Sequence, residues 1–191
     1  MARFLSLLIV LCLAAGSADA TSVISYSWLS YSYSPRDIAY AGGPGELWTE
    51  VAGNPFGVSQ PDFDQMVTQS MYGAHFGPPT KFTTSPGPNA RRIFHVRLLF
   101  NGTGTDQGAI CNGAPAAVQP SGQPGHGGDV VLYAAFCQGN DALSFLRAAG
   151  DFSGPNDPAF IDFMHDVTMK LFPSQNNELL RNGSDCQAWS C

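Results

Sequence analysis

Ile93-Phe94-His95-Val96-Arg97-Leu98-Leu99-Phe100 is the stretch from which the fold is read. Phe94, Val96, Leu98 and Phe100 point one way while His95 and Arg97 share the other side, the two-residue period of a strand with one face in a core. His95 is expected on the solvated side of the sheet. Downstream, Asp129-Val130-Val131-Leu132-Tyr133-Ala134-Ala135-Phe136-Cys137 reads as a buried strand. Gln138-Gly139-Asn140-Asp141 is a tight-turn sequence, and Leu143 to Ala148 would return antiparallel. Ala142, Phe145, Leu146 and Ala149 also fit a helix there. Between the two strands, residues 102–128 are rich in Gly, Pro and Ala without periodicity, a loop long enough to be either functional or disordered.

Upstream, Leu47, Thr49 and Val51 alternate with Trp48 and Glu50 in a strand that stops at Gly53-Asn54-Pro55, because proline lacks the ladder donor. A helix follows. Ser59 and Asp62 have the spacing of a capping box, Pro61 suits a first turn, and Phe63, Met66, Val67, Ser70 and Met71 recur at helical spacing up to Gly73. Nearer the start, Ile24, Tyr26 and Trp28 alternate with serines, and then Leu29, Tyr31 and Tyr33 do so one residue out of phase. That pattern predicts one strand with a bulge. After Gly42-Gly43-Pro44-Gly45, a turn, the second strand begins. The last helix is capped by Asn156 or Asp157, opened by Pro158 and stopped by Pro173, with Phe160, Phe163, Met164, Val167 and Leu171 as its buried stripe. The elements predict an α+β fold: an antiparallel or mixed sheet of about five strands with two helices packed on one face.

Residues 1–20 read as a signal peptide. Arg3 precedes the apolar run from Phe4 to Ala15, and Ala18-Asp19-Ala20 places small residues where a signal peptidase reads. The run is shorter than the roughly 20 apolar residues that span a bilayer, and Leu11 is too bulky for a lipid-attachment site at Cys12. Residues 21–173 then form a single domain, and residues 174–191 a polar tail. No integral membrane segment is expected after cleavage. With a net charge of -6 and Arg91-Arg92 as the sole basic pair, the chain has no electrostatic reason to bind nucleic acid.

Four cysteines follow the leader: Cys111, Cys137, Cys186 and Cys191. In an oxidising compartment they are expected to pair, and four thiols allow three pairings. Cys111 with Cys137 closes the long loop and Cys186 with Cys191 staples the tail. By chain entropy these would contribute about 3.5 and about 2 kcal/mol. Zinc is the alternative, but the spacing lacks a C-x-x-C pair.

Motifs that commit a chain to a reaction are absent: no phosphate loop, no H-E-x-x-H, no calcium loop. Gly102-Thr103-Gly104-Thr105-Asp106-Gln107-Gly108 misplaces the last glycine of a dinucleotide loop and opens no helix. Gly125-His126-Gly127-Gly128-Asp129 could expose backbone N–H groups to an oxyanion, yet no G-x-S-x-G elbow accompanies it. Asp162 and His165, one turn apart on the last helix, could act as an acid–base pair. Met66, Met71 and His75 could be read as copper ligands, although a stripe at that spacing is more often a core face. Tyr26, Trp28, Tyr31 and Tyr33 could form a sugar-binding row. Asn101-Gly102-Thr103 and Asn182-Gly183-Ser184 fit the glycosylation sequon. No cofactor is expected.

Several short motifs occur in an order that is familiar: Asn54-Pro55-Phe56-Gly57, Phe82-Thr83-Thr84, Phe100-Asn101, Ala135-Phe136-Cys137 and Leu171-Phe172-Pro173. Together, over residues 45–173, they resemble a group of uncharacterised exported proteins of proteobacteria. The resemblance implies a periplasmic address and carries no activity, ligand or catalytic residue. The reading is therefore an exported envelope protein, periplasmic or secreted, that binds a partner (another envelope protein) or serves an assembly without catalysis. The alternative is a small hydrolase using His126 with Asp129, or His165 with Asp162.

Overall fold

A computed structural model of the chain describes residues 22–102, 105–113 and 128–174. Its elements are β1 (Ser22–Leu29), α1 (Pro35–Ala41), β2 (Glu46–Ala52), α2 (Gln60–Ser70), β3 (Lys81–Thr83), β4 (Phe94–Phe100), a 3-10 turn (Ile110–Asn112), β5 (Gly128–Gln138), β6 (Asp141–Phe152) and α3 (Pro158–Leu171). The class is α+β as expected. Six strands, rather than about five, form an open mixed sheet in the order β1-β6-β5-β4-β2-β3. Three helices, rather than two, accompany them.

The extra helix is α1. Ser34 caps it, with its hydroxyl accepting from Arg36 N–H while the Asp37 carboxylate accepts from Ser34 N–H at 2.7 Å, and Pro35 fills the first helical position. The expected first strand therefore ends at Leu29 instead of running to Tyr33. Its bulge lies earlier than the serine pattern suggested, between Ile24 and Tyr26, where Ile24 pairs with Ala148 and Tyr26 with Arg147. That inserted residue puts Ile24 on the core side and sends Tyr26 and Trp28 to the opposite face. The extra strand, β3, is three residues long and pairs in parallel with β2 at the sheet's far edge.

β2 runs parallel to both β3 and β4, while β4, β5, β6 and β1 are successively antiparallel. The β5–β6 hairpin turns at Gly139-Asn140, with Gly139 at φ +60°, the sign that a two-residue turn of type II′ takes at its first central position. Gly42 is required for another reason: a Cβ there would collide with the Thr80 side chain.

One face of the sheet carries the main core. Leu47, Val96, Leu98, Phe100, Phe136, Leu146 and Ala148 meet Ile38 of α1, Phe63 and Val67 of α2, and Phe160, Phe163 and Met164 of α3. Aromatic rings supply much of it. Phe160 touches Phe56, Phe100, Phe152 and Phe163 with centroids between 5.1 and 6.3 Å apart, in the edge and tilted geometries that aromatic quadrupoles favour. All three helices place their buried residues on this side.

Candidate functional site: the open face of the sheet

Ladder register arranges the other face in three rows running across the strands. The first is Trp48, His95, Cys137 and Ala142; the second is Glu50, Arg97, Ala135, Phe145 and Trp28; the third is Ala52, Leu99, Tyr133, Arg147 and Tyr26. No helix among the described residues covers these rows. They are crossed instead by the 3-10 turn at Ile110–Asn112, which the Cys111–Cys137 disulfide holds against the sheet with Cα atoms 5.8 Å apart.

The turn is built to keep its shape. The Asp106 side chain accepts from the N–H groups of Gly108 and Ala109 at 2.8 and 2.9 Å, and Asn112 donates its amide to the Gly108 carbonyl at 2.6 Å. Ile110 and Cys111 then bury against Ala135, Cys137, Ala142 and Phe145, with Trp28 and Tyr133 packed alongside. Gly113 leaves the turn at φ +69°, with the place of a Cβ 3.7 Å from an Arg97 guanidinium nitrogen. The turn thus divides the face into two ends with different chemistry.

At the β2 end, Arg97 Nε donates to Glu50 Oε2 at 2.9 Å, with both side chains partly open to water. His95 lies beside this pair with its ring 5.0 Å from Trp48. It is 7% exposed, so the expected solvated histidine is in fact buried. Trp48 on one strand and the disulfide cysteine on the other close over it. Its Nδ1 has no hydrogen-bond partner. Burial holds its pKa below the ordinary histidine value; Glu50 and the Ile93 carbonyl pull upward and Arg97 adds to the lowering. The imidazole is therefore neutral at physiological pH.

At the β1 end, a cation lies beside an aromatic cluster. Arg147 Nη1 donates to the Ser25 hydroxyl at 2.9 Å, Nε approaches the Tyr133 hydroxyl at 3.4 Å, and the guanidinium carbon lies 5.8 Å from the Tyr133 ring centre. Phe145 touches Tyr26 and Tyr133 with ring centres 6.0 and 6.3 Å apart. Arg147 has no carboxylate partner among the described residues. A half-buried guanidinium beside aromatic faces can accept an anionic group and a flat apolar one together.

The residues singled out from sequence fall in several places. Tyr26 and Trp28 are on this face, but Tyr31 is exposed in the following turn and Tyr33 is sealed in the main core, so the four form no common row. Tyr133, Phe145 and Arg147 join Tyr26 and Trp28 instead. Asp162 and His165 are exposed on the outer side of α3, and Asp129 is exposed at the start of β5 opposite Asp151. His126, Cys186, Cys191 and the second sequon lie outside the described residues. Met71 is buried in the core while His75 packs its ring between Phe82 and Phe172, as a core stripe would. Among the described residues no group of three His, Cys, Asp or Glu side chains is placed to hold a metal, and no helix is long and apolar enough to cross a membrane. Compared with protein-family models, curated proteins and solved structures, the chain matches none.

Proposed function

We propose that this chain is an exported envelope protein, periplasmic or secreted, that binds another protein through the open face of its sheet without catalysing a reaction. One observation carries the reading. Tyr26, Trp28, Tyr133 and Arg147, from β1, β5 and β6, lie on a face to which no described helix is applied. Aromatic and arginine side chains dominate the energetics of protein interfaces. Arg147, having no carboxylate partner among the described residues, favours a partner that offers an acidic side chain next to an apolar one.

Export is supported by the leader at residues 1–20 and by the Cys111–Cys137 disulfide, a bond that persists in oxidising compartments.

Two measurements test the proposal. Mass spectrometry of the protein from fractionated cells should find a mature chain starting at Thr21 outside the cytoplasm. A photo-crosslinking amino acid placed at Tyr26 should capture a partner that the same group at Gln65, on α2, does not. A leader-bearing cytoplasmic product, or equal capture from both positions, would refute it.

A further inference from the structure

β3 (Lys81–Thr83) is the outermost strand at the other end of the sheet from β1. In a parallel ladder, successive residues turn their N–H and C=O groups alternately toward the partner strand and away from it. Lys81 N–H donates to the Gly45 carbonyl at 3.0 Å. The main-chain groups of Lys81 and Thr83 are therefore turned to β2, and those of Phe82 to the free edge. Among the described residues no strand takes up that Phe82 N–H and C=O. The Phe82 ring is meanwhile fixed in the core against His75 and Phe172, with ring centres 5.7 and 5.9 Å away, so the edge holds its place.

A cavity of about 330 Å³ lies along this edge, with α2 as its opposite wall. Gln65 and Gln69, one helical turn apart on α2, bring two carboxamides, and Tyr72 brings an exposed ring. Lys81 and Thr84 supply an ammonium and a hydroxyl from the strand side. No carboxylate lines the cavity, in a chain whose net charge is -6. The side chains of Gln65, Gln69 and Lys81 make no hydrogen bond or ion pair with any described residue. Glu46, beside Lys81 in the ladder, turns one oxygen to the Gly87 N–H at 2.7 Å instead.

We infer that this cavity binds the carboxyl-terminal end of a short extended peptide. Such a peptide presents an N–H and a C=O together on one side at every second residue, the complement of the pair that Phe82 holds out. The two carboxamides each donate and accept, as the remaining peptide groups require. Lys81, the one cation lining the cavity, takes the terminal carboxylate, for which no lining acid competes. A sugar acid would satisfy Lys81 and the carboxamides but has no peptide unit to continue the ladder. The volume is at the small end of ligand sites, which limits the occupant to a few residues. The cavity lies at the opposite end of the sheet from Tyr26 and Arg147, so it stands apart from the open-face reading.

Titration of the isotope-labelled exported protein with acetyl-trialanine bearing a free carboxylate, followed by NMR, tests it. The Phe82 main-chain amide and the side-chain amides of Gln65 and Gln69 should shift, with a Kd of about 1 mM. The same peptide as its carboxyl-terminal amide should bind about fivefold more weakly, and Lys81→Gln, at an exposed position, should remove that difference. Glucuronate, which has the carboxylate without the peptide unit, should bind about tenfold more weakly than the peptide acid. No binding up to about 20 mM peptide would overturn the inference. So would equal affinity for acid and amide, a preference that survives Lys81→Gln, glucuronate binding as tightly as the peptide, or shifts centred on Arg147 instead of Phe82.

Discussion

His95 and Cys137 stand opposite each other in the β4–β5 ladder, so a buried neutral imidazole and a disulfide share one face of the sheet. The disulfide joins residues 26 apart in sequence and holds the 3-10 turn over Ala135 and Phe145. Removing it with Cys111→Ala and Cys137→Ala together should cost about 3.5 kcal/mol, the chain entropy of that loop. Urea unfolding of the double variant should show a midpoint lower by about 2 M. An unchanged midpoint would mean that the turn keeps its place without the bond.

The imidazole itself gives a pH signature. Its folded pKa is lowered by burial, so below about pH 6.5 the unfolded chain takes up a proton that the folded chain refuses. The stability due to neutral His95 is complete above that pH and is lost as pH falls toward the folded pKa. Wild-type protein should lose more stability between about pH 7.5 and about pH 5 than His95→Phe does. Parallel curves for the two proteins would place the acid sensitivity elsewhere.

Glu50 and Arg97 pull that titration in opposite directions. Both are partly exposed, so Glu50→Gln or Arg97→Met should change stability by less than about 1 kcal/mol. The ring resonances of His95, followed by NMR, should nevertheless move apart. Glu50→Gln removes an upward pull and should shift the midpoint to lower pH, while Arg97→Met removes a downward one and should shift it higher. Shifts of the same sign in both variants would contradict the arrangement.

The long elements were legible because each repeats its own period several times. β4 sets Phe94, Val96, Leu98 and Phe100 two apart and α3 carries five apolar positions of one stripe, so neither depends on its neighbours to be read. β3, with three residues, has no period to show. α1 did announce itself in Ser34-Pro35-Arg36-Asp37, a serine three before an acid with proline between, but the Ser/Tyr alternation running into it masked the boundary. The open face was illegible for a different reason. It draws two or three side chains from each of five strands, and which strands neighbour one another is set by tertiary packing. Tyr26 and Trp28 were recognisable from spacing, while their true companions, Tyr133, Phe145 and Arg147, lie more than a hundred residues away in sequence. His95 was misread for the same reason, since Trp48 and Cys137 bury it from the two adjoining strands.

Tyr33 closes the other end of the fold. It is 1% exposed, and its hydroxyl donates to the Pro173 carbonyl at 2.9 Å, joining the β1–α1 connection to the exit of α3. Tyr33→Phe should cost about 1 kcal/mol at neutral pH, the usual worth of such a bond. Burial, with a smaller push from the Asp37 carboxylate, raises the phenol pKa well above its ordinary value. The sign follows. Below about pH 10 neither state is ionised at this group, and the stability it lends is whole. As pH rises past that point the unfolded chain loses the proton first, so folding weakens. Phenylalanine cannot ionise in either state, and the stability gap between wild type and Tyr33→Phe should therefore narrow from about pH 9 to about pH 11. Urea unfolding of both proteins across that range is the measurement. A gap that stays constant would show that the buried hydroxyl contributes its hydrogen bond but no alkaline sensitivity, contrary to an environment that excludes the phenolate.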